Sequence, residues 1–244
     1  MKPAGAFVAR VLTTLERNAA PGVSLLELDD LAHQMIRESG ATSCYIDYHP
    51  SFGGSPFGRV LCTSVNDAAL HGLPHDYRLV NGDLLSLDFA VELDGWVADS
   101  AISFIVGHSG DPADQALIET CEEALRAGIA QATPGRRLGD ISAAIGEVAR
   151  LAGYSVNTDF GGHGVGRTMH EDPSIPNDGL AGTGPKLKAG MVFAIEPWLM
   201  HTTSEIYTDA DGWTLRSADG SRSAHVEHTV AVTEHGPLVL TARG

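Results

Sequence analysis

Residues 21–40, PGVSLLELDDLAHQMIRESG, superpose as written on residues 134–153, PGRRLGDISAAIGEVARLAG. Both open on Pro-Gly, a helix breaker, and both close on a glycine (Gly40 and Gly153), a natural helix stop. Between these marks, Leu28, Leu31, Ala32, Met35 and Ile36 make one apolar helical face, and Leu138, Ile141, Ile145 and Val148 make another. Ser24-Leu25-Leu26-Glu27 reads as a capping box at the first helix start. A further helical pattern precedes each copy: Ala4, Phe7, Val8, Val11, Leu12 and Leu15 before the first, and Leu117, Ile118, Cys121, Leu125 and Ile129, opened by Asp111-Pro112, before the second. Strand-like segments follow each. The expectation is an α/β (α+β) fold in which a unit of two helices and antiparallel strands occurs twice. It would form one domain, 1–244, with similar halves at about 1–110 and 111–244.

The strongest strand signal lies in residues 84–106, LLSLDFAVELDGWVADSAISFIV. Two apolar runs, Leu84 to Leu93 and Trp96 to Val106, flank Asp94-Gly95, a favoured two-residue hairpin turn. In that register Asp88 faces Ala101 and Asp99 faces Ala90. The two aspartates then share one sheet face as diagonal neighbours. Carboxylates so placed repel, and a cation between them removes the problem.

Three more ligand-type residues stand in apolar or Gly-rich surroundings. Glu196 ends the expected strand Met191 to Ile195, just before Pro197; Glu227 lies in an expected strand from about His225 to Val232; His163 lies in an expected Gly-rich turn, GGHGVGRTMHEDP. Taken singly, each has a plain structural explanation: an edge-hairpin aspartate, a capping acid or a loop histidine. Together the set Asp88, Asp99, His163, Glu196 and Glu227 describes a dinuclear metal centre, because buried carboxylates are costly unless paired or bound to metal. Four carboxylates and one imidazole suit Mn, Fe, Co or Zn, not a thiolate zinc site. Two such ions roughly 3.5–4 Å apart can bring the pKa of a shared water towards about 7. His71, in SVNDAALHGLP, and His170, seven residues after His163, are candidates for hydrogen bonding to a substrate carbonyl or amide and for proton transfer. His33, His49, His75, His108, His201, His225, His228 and His235 read as structural or surface residues.

Composition narrows the partners. A 43% hydrophobic, 19% charged chain is globular, and its formal net charge of −15 with no basic run disfavours nucleic acid and anionic membrane. Cys44, Cys62 and Cys121 form no CxxC pattern, which favours reduced thiols and a cytosolic address. Charges at Arg10, Glu16 and Arg17 interrupt the N-terminal segment, so no signal-peptide run is expected.

The segments MKPAGAFVARVL, PGVSLLELD, CTSVNDAALHGLP, LDFAVELDGWVADSA, GGHGVGRTMHEDP, FAIEP and HVEHTVAVT, in this order, resemble the type I methionine aminopeptidases nearly end to end. The resemblance implies the pita-bread fold, with pseudo-two-fold helix–helix–strand units around a central curved sheet. It implies a monomeric, cytoplasmic enzyme. Its activity would be removal of the initiator methionine from peptide or nascent-protein N-termini with a small second residue, by attack of a hydroxide bridging two divalent metal ions. By the same resemblance, Asp88 chelates one metal, Asp99 and Glu227 bridge both, and His163 and Glu196 complete the other. His71 and His170 contact the substrate, Glu196 also shuttles a proton, and Tyr48, Cys62, Met169 and Trp213 shape the methionine pocket.

Three departures from the family pattern stand out: a longer, Gly- and Pro-rich segment, PSFGGSPFGRVL, before Cys62; Met169 where an aromatic residue is common; and a start almost at the first helix. The first two keep open a pita-bread aminopeptidase of other specificity, either proline-directed or a dedicated tailoring enzyme. A non-catalytic binding protein on the same fold is a further alternative, disfavoured because all five ligands are present.

Overall fold

The computed structural model describes residues 1–50, 55–108 and 111–243. In chain order the first half contains helices α1 (Lys2–Asn18) and α2 (Leu25–Ser39) and strands β1 (Thr42–Ser43), β2 (Cys62–Val65), β3 (Ala68–Leu70), β4 (Leu84–Leu93) and β5 (Trp96–Ile105). Helices α3 (Pro112–Gln131) and α4 (Leu138–Ala152) follow. The remaining strands are β6 (Ser155–Val156), β7 (Gly161–Gly164), β8 (Glu171–Pro176), β9 (Val192–Ile195), β10 (Trp198–Met200), β11 (Ile206–Thr208), β12 (Leu215–Ser217), β13 (Ser223–His225), β14 (His228–Thr233) and β15 (Gly236–Val239).

Both repeated helices form where the sequence marks them. The Ser24 hydroxyl accepts from the Glu27 backbone N–H at 3.2 Å, while the Glu27 carboxylate accepts from the Ser24 N–H at 2.7 Å. Gly40 and Gly153 both end their helices in the left-handed region, at φ 73° and 81°. The second copy keeps half of the cap: Asp140 accepts from the Arg137 N–H at 2.8 Å, but position 137 has no serine hydroxyl to answer it.

Two apolar cores support the sheets. Phe7, Leu12 and Leu15 of α1 and Leu25 and Leu28 of α2 pack with Leu85, Leu87 and Phe89 of β4. Leu117 and Cys121 of α3 and Ile141 and Ile145 of α4 pack with Phe193, Ile195 and Val230. Burial of each such side chain stabilises by about 1.5–3 kcal/mol, so the helices act as backing plates for the strands.

The hairpin forms in the expected register, with Asp88 opposite Ala101 and Ala90 opposite Asp99. Asp94 and Gly95 both take positive φ, 54° and 74°, the shape a two-residue turn needs to match strand twist. Strand β5 ends at Ile105, one residue short of expectation. The hairpin sheet also includes β1 and β2, both paired to β4, and β2 sets Cys62 opposite Asp88.

A five-stranded sheet, ordered β15-β14-β9-β7-β8, carries the other ligands. Two expectations are corrected here. His163 lies within strand β7, not in a turn. Its flanking glycines serve close strand approach: a Cβ on Gly162 would sit 2.3 Å from the Ala194 carbonyl oxygen, and one on Gly164 would sit 2.4 Å from that of Asp172. Glu227 lies in a break, not inside one continuous strand. Strand β13 pairs with β10, and β14 pairs with β9 and β15. Between them the Val226 N–H turns to Pro197 and the Glu227 N–H to Ala101. Apolar alternation runs through HVEHTVAVT without marking that change of neighbours.

Replacing Ser24 by alanine removes one half of the α2 cap. The expected loss is about 1 kcal/mol of stability, read as a lower urea midpoint at unchanged slope.

Candidate metal centre

Two sheets meet at a seam, and the acidic side chains gather along it. Thr229 of β14 makes a double link to Asp99 of β5: its hydroxyl donates to the Asp99 carbonyl at 2.7 Å and accepts from the Asp99 N–H at 2.9 Å. Two residues on, the Glu227 N–H donates to the Ala101 carbonyl at 3.0 Å, and the Ser100 hydroxyl donates to the Glu227 carbonyl. These bonds fix Asp99 and Glu227 side by side although 128 positions apart in sequence is far beyond any local pattern. His163 arrives from β7, and Glu196 follows the last residue of the adjacent strand β9.

Asp99, His163 and Glu227 each offer a ligand atom, and these atoms lie within 4.8 Å of one another. Asp88 and Glu196 stand just outside this tightest group. The Tyr45 hydroxyl joins Asp88 to Asp99, at 2.7 and 3.2 Å from their Oδ1 atoms. Glu196 Oε1 lies 3.4 Å from His163 Nε2. All five residues line one cavity of about 530 Å³.

The electrostatics of this cavity are unfavourable without a cation. Burial, then repulsion from Asp88 and Glu196, drives Asp99 well above the usual carboxylate range. Burial, then Asp99 and Glu196, does the same to Glu227. Burial also raises Asp88. For Glu196, burial is outweighed by the neighbouring imidazoles of His225 and His163, so its carboxyl lies below the ordinary value. Among the described residues, Glu227 Oε1 and His225 Nε2 are buried polar atoms with no hydrogen-bond partner. Mutually repelling carboxylates beside an unpartnered buried oxygen fit divalent cations held by oxygen and imidazole ligands.

The rest of the cavity lining is largely apolar and aromatic. Phe57 packs edge-on against Trp213 at 5.2 Å and against Tyr45 at 5.9 Å, and Tyr48 stands 6.2 Å from Trp213. Cys62 and Met169 complete this side. At the rim, His170 sets its ring edge-on to His163 at 4.4 Å, and its Nδ1 lies 3.2 Å from the Tyr48 hydroxyl. Burial together with the charge of His163 pulls the His170 imidazole down to about 4. His71, held at φ 53°, packs edge-on against Phe160 across the same cavity, and burial lowers its pKa. Both imidazoles are therefore neutral at pH 7 and able to donate or accept one hydrogen bond each.

The structure brings every candidate residue from the sequence into this one pocket: Asp88, Asp99, His163, Glu196, Glu227, His71, His170, Tyr48, Cys62, Met169 and Trp213. Sequence reasoning missed three neighbours. His225, read as structural, places Nε2 3.7 Å from Glu196 Oε2. Its position two residues before Glu227 was the available signal. Tyr45 and Phe57 carried no motif of their own. Phe57 belongs to the Gly- and Pro-rich segment before Cys62, which thus builds pocket wall; residues 51–54 of that segment lie outside the described residues.

A clamp holds the His170 loop. The Arg167 guanidinium stacks on Trp96 at 3.6 Å and donates to the Gly95 carbonyl at 2.7 Å, at the tip of the β4–β5 hairpin. The Glu171 carboxylate accepts from the Arg167 and Thr168 N–H groups at 2.7 and 3.0 Å.

With this geometry in hand, comparison with known proteins assigns the class. Residues 1–234 match the model of metallopeptidase family M24. The chain belongs to this family and is a metal-dependent peptidase. It is 47% identical to methionine aminopeptidase 1 of Mycobacterium tuberculosis over 99% of this chain and 91% of that protein. It is 42% identical to the methionine aminopeptidase of Aquifex aeolicus, over 99% and 94%. The crystal structure of methionine aminopeptidase from Thermotoga maritima superposes with a TM-score of 0.94 at 36% identity, covering 100% of this chain and 95% of that one. The prolidase of Pyrococcus horikoshii, at 19% identity and a TM-score of 0.75, shares the fold. The architecture is that of the pita-bread peptidases.

Two measurements check this geometry. Chelation should lower the melting temperature, and added Mn or Zn should restore it by an amount that grows with the logarithm of metal concentration. Arg167→Ala should speed amide exchange through residues 166–171 by roughly tenfold, equivalent to about 1.4 kcal/mol of lost local protection, while leaving β4 and β5 unchanged.

Proposed function

We propose that this protein is a methionine aminopeptidase, releasing the N-terminal methionine from peptides and nascent chains whose second residue is small. The observation that carries the reading is the juxtaposition in one cavity of five ligand side chains and a wall of Tyr48, Phe57, Cys62, Met169 and Trp213. That wall suits an unbranched thioether side chain, which gains from sulfur–aromatic contact. Asp88, Asp99, His163, Glu196 and Glu227 would hold two divalent ions, of Co, Mn, Fe or Zn. When bound, such a pair supplies a nucleophile at neutral pH and polarises a carbonyl.

The chain's own residues do the rest. The aromatic wall holds the methionine side chain and excludes water. His71 and His170 hydrogen-bond the scissile amide and its carbonyl, steadying the charge that develops on oxygen. Glu196, flanked by His163 and His225, carries a proton on its carboxylate from the attacking water to the departing amine. We further infer a single catalytic domain of two similar halves, each giving two or more ligands: Asp88 and Asp99 from 1–110, and His163, Glu196 and Glu227 from 111–244. A cytoplasmic address fits the three unpaired cysteines.

The test is hydrolysis of Met-Ala-Ser against Leu-Ala-Ser by chelated protein reloaded with each metal. Metal-dependent release of methionine alone is expected, with at least a thousandfold loss in Asp99→Ala. Preferential release of leucine or of a residue before proline would instead assign another specificity.

A further inference from the structure

We propose that Tyr45 is a positioning residue of the metal centre, its hydroxyl holding the carboxylates of Asp88 and Asp99 at a fixed spacing for metal uptake. Its place is set by backbone pairing. Strand β1 pairs with β4, with Ser43 opposite Val91, and the Cys44 N–H donates to the Ala90 carbonyl at 3.2 Å. The Ser43 hydroxyl then accepts from the Tyr45 N–H at 3.1 Å, turning the chain over the hairpin face that bears both aspartates. The ring is 7% exposed and is wedged edge-on against Phe57. A phenylalanine would fill the same space.

The hydroxyl is what distinguishes the site. A buried phenol requires a hydrogen-bond partner, and the partners of this one are the two aspartates, at 2.7 and 3.2 Å. One proton shared between two carboxylate oxygens pulls them together and fixes both rotamers. Each carboxylate has about four lone-pair sites, so the phenol leaves the others directed towards a cation. Partners of this kind, one shell out from a metal, orient its ligands and typically matter 10–100-fold in affinity. The same ring is part of the aromatic wall, so Tyr45 ties the pocket for the substrate side chain to the ligands of the metal.

This inference rests on the metal reading of the five ligands, and the experiment separates the two. Metal affinity is measured by competition with a fluorescent chelator, for Mn and Zn, on wild type, Tyr45→Phe and Asp99→Ala. The visible absorption of the Co-loaded proteins is recorded alongside. Wild type should bind, Asp99→Ala should lose binding, and Tyr45→Phe should bind 10–100-fold more weakly with shifted Co bands. Tyr45→Phe binding within twofold of wild type with an identical Co spectrum would overturn the role of Tyr45 alone. A wild type that binds no metal would overturn the site reading and this inference together. Should Tyr45→Phe fail to fold, Tyr48→Phe protein labelled with ¹³Cζ-tyrosine replaces it. One tyrosine resonance should move on Zn loading, and a set that stays put would overturn the proposal.

Discussion

Mutual repulsion among four carboxylates, two of them buried and two partly buried, is the constraint around which the molecule is organised. Asp88, Asp99, Glu196 and Glu227 line one cavity, where burial and each other's charge push three of the four towards the protonated form. In water such groups would swing apart. Here they cannot, because each is fixed by a backbone that is itself paired. The Thr229–Asp99 double hydrogen bond and the Glu227–Ala101 bond close the seam between sheets, and one helix pair backs the strands of each sheet.

The remaining parts of the pocket answer this acidic floor. Neutral imidazoles at His71 and His170 can donate hydrogen bonds without adding charge. His163 and His225 flank Glu196, whose carboxyl, unlike the other three, lies below its ordinary value. The aromatic wall adjoins the ligands, Tyr45 touching Asp88 and Asp99 and Cys62 standing opposite Asp88 in the β2–β4 ladder. The cavity thus has a charged side for chemistry and an apolar side for recognition, joined at Tyr45. The Arg167–Trp96 stack ties the His170 loop to the tip of the hairpin that carries Asp88 and Asp99.

Much of this was legible in the chain. The repeated Pro-Gly…Gly segments carry their own start and stop chemistry, so α2 and α4 stand where 21–40 and 134–153 place them. The Asp94-Gly95 turn sets the hairpin register by itself, and with it the shared face of Asp88 and Asp99. All five ligands sit in local patterns too apolar for an unpartnered acid. The illegible parts are those that depend on a neighbour remote in sequence. The glycines around His163 looked like a turn because a need for close strand contact and a need for positive φ produce the same residue. The break before His228 is set by Pro197 and Ala101, which no window around Glu227 contains. His225 and Tyr45 have ordinary local settings, and their roles come from Glu196, Asp88 and Asp99 across the pocket.

The sequence by itself determined the helices, the hairpin and the candidate ligands, because capping, turn preference, hydrophobic period and the cost of burying an acid all act over a few residues. Only the tertiary structure decided which edges meet, how the two sheets join at Asp99, Glu227 and Thr229, and which side chains face the carboxylates from across the cavity. Those depend on hydrogen bonds and packing between segments more than 100 residues apart, 130 between Asp99 and Thr229, and such contacts leave no local pattern in the chain.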